Sequence, residues 1–348
     1  YYFTPSNAGG CIVGTVSGTT TSWGTPVVFS SGTVAHQTSI VFDSTNSKVV
    51  IAYRDTGDSN KGKAIVGTVS GTSISYGTAV EFESGATTDI AAAFGNGQVF
   101  ISYSDAGDSS KMKCIIGTVS GTAISFGSIA DSGLSTTLNS IPSYDSTANK
   151  FVVAFMDNVA SNIGKAVVAS VSGTTPSYGT PVTFSSNSVS SDPPPYFGVT
   201  YDSEADKTLI AYSDNSDSNK GYGIVATVSG TSLSYGTAVK FNDNGDTDSI
   251  TSGYDPDAKK IVIIYRDQDT TNDPGTAIEA TISGTSVSFG TAIVYQSTNA
   301  PFEQAIAYDT TNDKFVAAYS LNTGKGNAAV ITTGRDEVTN LTSTNLLG

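Results

Sequence analysis

The sequence predicts an all-β protein, a single β-propeller of six four-stranded blades, from three observations. Val, Ile, Thr, Tyr and Phe fill the apolar segments and suit a pleated, half-buried surface, whereas Leu, Ala, Glu and Lys runs at helical spacing are absent. A Ser-Gly-Thr turn recurs at Ser17, Ser70, Ser120, Ser172, Ser229 and Ser283, at intervals of 53, 50, 52, 57 and 54 residues. Each interval holds four strand-like segments separated by turn signals, the mark of a propeller array.

The elements of one repeat follow in order. TSIVFD (38–43) reads as a short first strand, and the turn STNS leads into the second, KVVIAYRD (48–55). The loop TGDSNKGK leads to the third strand, AIVGTV (64–69), and a tight Ser-Gly-Thr turn leads to the fourth, SISYGTAVEF (73–82). First strands are rich in small residues, as in IAAAF (90–94), which fits the crowded position nearest a propeller axis. Second strands are continuously apolar (KVVIAY, QVFISY, KFVVAF, KTLIAY, KIVIIY, KFVAAY), as expected where both faces are covered. The turn glycine supplies the positive φ of a tight hairpin. The aromatic before the next glycine (Trp23, Tyr76, Phe126, Tyr178, Tyr235, Phe289) recurs once per repeat and is expected to pack between blades.

Third-strand segments number seven, from CIVGTV at the start to AAVITT (328–333), so the chain begins and ends partway through a repeat. The N-terminal strands are therefore expected to complete the blade begun by residues 303–333, closing a ring without exposed edges. Seven blades are the alternative. Residues 1–333 make up the propeller in this reading, and 334–348 are a C-terminal extension leading to or docking on another segment.

Composition bounds the function. A net charge of −14 argues against nucleic acid as a partner, since phosphate binding needs a basic face. No stretch approaches the roughly 18 consecutive apolar residues of a membrane-spanning helix. Cys11 and Cys114 open the same strand two repeats apart, beyond the roughly 7 Å Cα limit of a disulfide, and are expected to be buried free thiols. The single histidine, His36, has no nucleophile or metal-ligand spacing beside it. Sialidase chemistry would need three convergent arginines. Of Arg54, Arg266 and Arg335, two share one repeat position in different blades and the third lies outside the array, so no catalytic residue is assigned.

Candidate binding residues fall on the face of the second-to-third-strand loops and blade-crossing loops, which is acidic; the opposite face, with the first-to-second-strand turns, reads as blander. The loop SSNSVSSDPPPYF (185–197) departs most from the repeat, and its three prolines stiffen it. Tyr196 and Phe197 are placed at its tip, with Asp192, Asp246 and Asp248 nearby as ligand-binding candidates. Asp214, Asp217, Asp267, Asp269 and Asp273 are weak candidates for calcium, which takes six to eight oxygens; no other cofactor is expected. The competing reading is that these Asp, Ser and Asn side chains bond nearby backbone amides. The loops also resemble the Asp-box hairpins of sialidase-like propellers, though their order differs and an aromatic is missing.

GTVSGTSISYGTAVEF (67–82), IAYRDTGDSNKGKAIVGTVSGT (51–72) and the closing TNLTSTNLLG (339–348) resemble a repeat in proteins of marine bacteriophages and marine metagenomes, several of them tail or appendage components. The resemblance covers residues 11 to 348. It implies a non-enzymatic virion surface protein of tail-fibre or receptor-binding type, on the virion surface or extracellular, with other virion proteins or a host cell-surface glycan as partners and a homo-oligomer as a candidate state. The alternative is a secreted glycan-binding lectin, using equivalent pockets for avidity. A glycoside hydrolase of sialidase-like propeller type ranks third.

Overall fold

The computed structural model describes residues 2–3, 8–134, 137–190, 197–268, 272–322, 326–333 and 338–345, and for 2–3, 31–36 and 338–345 only the strand path. Strands dominate throughout, with two short 3-10 turns, Ala106–Asp108 and Asn215–Asp217, and no α-helix among the described residues. No helix is long and apolar enough to cross a membrane.

The repeat forms an antiparallel four-stranded module. In module 3 the strands are Thr137–Asp145, Lys150–Asp157, Ile163–Ser172 and a fourth in two pieces, Thr175–Tyr178 and Val182–Ser188, both paired to the third strand. Modules 4 and 5 repeat this at 198–242 and 247–296. In modules 1 and 2, spanning 37–83 and 87–131, crossing strands Val27–Asp43 and Val80–Gly95 each run without a break from the fourth strand of one module into the first of the next. First strands are thus not always the short separate segments expected. Ahead of module 1, Ala8–Cys11 pairs with the start of Val27–Asp43, and Gly14–Ser17 pairs with Thr20–Trp23 in a separate two-stranded sheet.

The expected fourth strand over 73–82 is broken after Tyr76. Residues 73–76 pair with 67–70, residues 80–86 pair with 61–64, and the Gly77 amide between them donates to the Val66 carbonyl at 2.9 Å. The Gly-Thr-Ala interruption lets one strand bend while its backbone stays bonded.

The completion of residues 303–333 by N-terminal strands is corrected by the pairing. Module 6 has strands Pro301–Asp309, Lys314–Leu321 and Gly326–Thr333, and its fourth position is taken by Val338–Asn345, from the segment read as an extension. The N-terminal strands pair instead with Val27–Val34. A fourth strand a few residues along the chain closes the sheet at far lower entropic cost than one some 300 residues away.

The chain folds into two compact units. One comprises 1–15, 23–160 and 167–181; the other comprises 16–22, 161–166 and 182–348. Within each, alternate residues of a second strand face opposite neighbours. In the first unit, Val50, Ala52, Ala64 and Val66 of module 1 pack on Val99, Ile101, Tyr103 and Ile115 of module 2. In the second, Leu209, Ala211 and Val225 pack on Ile261, Ile263 and Tyr265, and Val262 and Ile264 on Phe315, Ala317 and Tyr319. Burial on both faces explains the continuous apolar runs. Lys314–Leu321 is the exception, alternating buried and half-buried positions.

The recurring aromatics pack as expected. Tyr53 and Tyr76 contact Phe29 edge-on; Tyr103 and Phe126 contact Phe82, Tyr212 and Tyr235 contact Phe184, and Tyr265 and Phe289 contact Phe241. Each trio joins neighbouring modules within one unit. Cys11 and Cys114 are both free; Cys114 is buried and Cys11 half-buried.

Candidate functional site

The acidic loops between second and third strands of modules 1 and 2 are ion-pair clusters. In module 1, Asp55 accepts from the Gly57 amide at 3.1 Å and from Lys63 Nζ at 2.8 Å, while Lys63 reaches Asp58 at 2.7 Å and Lys61 bridges Asp58 and Glu81. Module 2 repeats this with Asp105, Lys113, Asp108, Lys111 and Asp131. The backbone-bonding reading of these residues holds.

Two of the metal candidates sit in a related network. Asp214 accepts from the Ser216 amide at 2.8 Å and from Asn187 Nδ2 at 2.7 Å, and Asp217 accepts from Tyr222 and from Lys240 Nζ at 2.9 Å. An ammonium and N–H donors aimed at these oxygens are the opposite of what a calcium ion needs, so these two are corrected to structural roles. Asp267 is buried at the end of its strand, with its amide bonded to the Pro274 carbonyl at 3.0 Å. Asp273 has φ 47 and is half-buried. Asp269 lies outside the described residues.

The ligand-binding candidates are dispersed. Asp192 and Tyr196 lie outside the described residues. Phe197 is not at a loop tip: it is 2% exposed and packs edge-on against Phe184, since an apolar ring next to a strand start gains more by burial. Asp248 belongs to strand Thr247–Asp255 and is 6% exposed, held by both arms of Arg266 (Nε to Oδ1 2.7 Å) and by Gln268. Burial pushes its carboxyl above the ordinary value while the guanidinium pulls it back. Arg266 in turn lies 4.3 Å from the Phe302 ring centroid. Asp246 accepts from Asn219 Nδ2 at 3.3 Å. This set is corrected from recognition to architecture for Asp248 and Phe197. His36 and Arg335 have no described side chain.

The arrangement best suited to hold a polar ligand lies on the face that read as blander. First strands of modules 3 to 6 end in the dipeptide Tyr-Asp (144–145, 201–202, 254–255, 308–309), and the aspartate folds back on the turn that follows. Asp255 accepts from the Asp257 and Ala258 amides, both at 2.9 Å, and Asp202 from Glu204 and Ala205, both at 3.0 Å. These Asx turns place the next module's tyrosine beside exposed acids. The Tyr308 hydroxyl donates to Asp257 of module 5 at 3.1 Å and also contacts Asp313 of its own module, while Thr333 donates to Asp255. Carboxylate oxygens of Asp255, Asp257 and Asp313 lie within 4.8 Å of one another. Burial, and then the carboxylates around it, drive the pKa of the Tyr308 hydroxyl far above the usual tyrosine range. One module earlier, Tyr254 sits near Asp202 and Ser203, and Lys259 bridges to Glu204 at 2.7 Å. Both tyrosines are half-buried, and Asp257, Asp313 and Glu204 are exposed. The signal for this site was the repeated Tyr-Asp itself, which the strand reading absorbed as a strand end.

Modules of this topology and the structural likenesses define the chain as a β-propeller protein. It is similar to the periplasmic gluconolactonase of Pseudomonas aeruginosa (TM-score 0.64, 10% identity, 96% of this chain and 95% of that one). It is also similar to a putative 6-phosphogluconolactonase from Bacteroides uniformis (TM-score 0.62, 9% identity, 92% and 89%). A third likeness is to the Aleuria aurantia lectin, solved with a fucosylated sugar (TM-score 0.53, 12% identity, 88% and 94%). At such identities the likeness is one of fold. No family model matches the chain, and no curated protein matches its sequence.

Proposed function

We propose that this protein is a glycan-binding propeller of lectin type that binds without turnover, using the tyrosine–carboxylate clusters between neighbouring modules. The observation that carries this reading is Tyr308, a half-exposed ring flanked by the acceptors Asp257 and Asp313. A sugar offers an apolar C–H face, which suits an aromatic ring, and hydroxyls that donate to carboxylates. The recurrence at Tyr254 supports weak sites combined through avidity. The fucose-binding propeller among the structural likenesses supports the same class.

Glycan-array binding by the intact chain is expected, weakened by Tyr308→Ala and further by Tyr308→Ala with Tyr254→Ala, measured at a temperature where both variants are folded. Absence of binding, or binding indifferent to both substitutions, overturns the proposal. The lactonase likenesses supply the competing outcome, hydrolysis of a sugar lactone, which a direct assay reads. Display on a virion, which the repeat's resemblance implies, is a separate proposal. Co-purification with intact phage particles tests it.

A further inference from the structure

Arg54 and Arg266 occupy one position of the repeat, and the same backbone carries both. Asp248 stands in register with Arg266 and His36 with Arg54. In each module a bulge follows at once, between Asp248 and Thr251 and between His36 and Ser39. The bulge residues Ser249 and Gln37 have φ 49 and 48. Residues in register across an antiparallel pair present their side chains to one face of the sheet. The two arginines are therefore offered the same cradle with different contents.

In module 5 the cradle is full. Both arms of the Arg266 guanidinium hold Asp248, Gln268 donates to the same carboxylate, and the Phe302 ring of module 6 covers the cation. Module 1 offers none of these groups. His36 brings no carboxylate, Thr56 stands where Gln268 does, and Thr88 of module 2 stands where Phe302 does. Arg54 forms no ion pair among the described residues, in contrast to Arg266, and its Nε is buried without a hydrogen-bond partner. A buried N–H donor left unpaired is costly. The charge of Arg54 reaches Asp89 of module 2, but burial, and then hydrogen bonds from Thr88 and Ser104, act on that carboxyl more strongly.

We propose that Arg54 anchors a binding site for a small ligand carboxylate, which takes the place that Asp248 fills in module 5. The guanidinium fork matches a carboxylate in charge and spacing, and the pairing of Arg266 with Asp248 shows that this backbone can present it so. The position is open to solvent where its counterpart is closed. Arg54 is half-buried and Gln37 exposed, against 6% and 0% exposure at Arg266 and Ser249. Gln37 Oε1 accepts from the Asp89 amide at 3.1 Å, so the carboxamide NH2 remains as a second donor, one residue along from the position opposite Arg54. The site shares no residue with the Tyr308 cluster, and either can fail alone.

The arginines are Arg54, Arg266 and Arg335, so an NMR spectrum of isotope-labelled arginine Nε–H groups resolves each, and Arg54→Gln assigns the one of interest. Glucuronate is titrated into the full chain, with glucose at equal concentration and ionic strength as control. Saturable movement of the Arg54 signal is expected with glucuronate alone. Arg54→Gln should weaken binding about tenfold at unchanged melting temperature, since no ion pair is lost. His36→Asp restores the carboxylate that module 5 carries, and should raise the melting temperature and abolish glucuronate binding. An Arg54 signal that stays still, equal movement with glucose, binding retained in Arg54→Gln, or His36→Asp binding as well as the parent would each overturn the proposal.

Discussion

A Cβ built on Gly77 would stand 1.9 Å from the carbonyl oxygen of Thr122, so the backbone of one module presses directly on the Ser-Gly-Thr turn of the next. The same approach recurs at Gly24 on Thr72, Gly127 on Thr174 and Gly236 on Thr285, at 1.9, 2.2 and 1.8 Å. The glycine after the recurring aromatic and the threonine of the recurring turn are therefore two halves of one joint between modules. Gly77→Ala is expected to destabilise the fold by about 3 kcal/mol, because the obstacle is main chain and cannot rotate away. Gly71→Ala, in the turn itself at φ 58 with open space around it, should cost about 1 kcal/mol from backbone strain alone. Urea denaturation of both variants checks the order, and equal losses would refute the joint.

Arg266 and Asp248 make the second test. Removing the guanidinium by Arg266→Ala leaves a buried carboxylate without its ion pair, an expected loss of about 3–5 kcal/mol. Glycan binding through the Tyr308 cluster, if retained at a temperature where the variant is folded, would confirm that the pair is architectural. Loss of less than about 1 kcal/mol would mean that the pair is solvated.

The lysine clusters predict acid sensitivity. Hydrogen bonds from Lys63 and then Lys61 hold Asp58 below the usual carboxylate range, and Lys111 and then Lys113 do the same for Asp108. A depressed folded-state pKa gives stability that is present above the unfolded value, about 3.9, and lost as pH falls through the folded value. Melting temperature should therefore fall as pH drops below about 4. In the double variant Asp58→Asn, Asp108→Asn the fall should be shallower. A steeper or unchanged profile would count against these pairs.

Cys114 should be chemically silent. Burial pushes its thiol up to about 12, so almost none is thiolate at neutral pH. With Cys11→Ser in place, a thiol reagent at pH 8 should leave the native protein unmodified and titrate one thiol after denaturation. Rapid native labelling would place Cys114 at the surface.

Much of the fold was legible because a repeat states its own period. Six recurrences of Ser-Gly-Thr and of the apolar second strand set the module and its strand order, and aromatics such as Tyr76 and Phe126 were readable as packing because they recur in step. Local chemistry was legible too: Asp55 and Asp105 bond the backbone of their own turns, a contact between near neighbours in sequence. The sites were less so. Asp248 and Phe197 looked available because they stand beside irregular loops, and their burial depends on Arg266 and Phe184, each on the far side of a loop. The Tyr308 cluster needed Asp257, some fifty residues away.

The sequence by itself determined the all-β class, the roughly fifty-residue module and the strands within it, since alternation, turn residues and β-propensity act over a few neighbouring residues. The tertiary structure alone decided which glycines meet a neighbouring carbonyl and which tyrosine stands beside Asp257. Those outcomes depend on contacts between residues about one repeat apart, and a pattern read along the chain carries no distance across it.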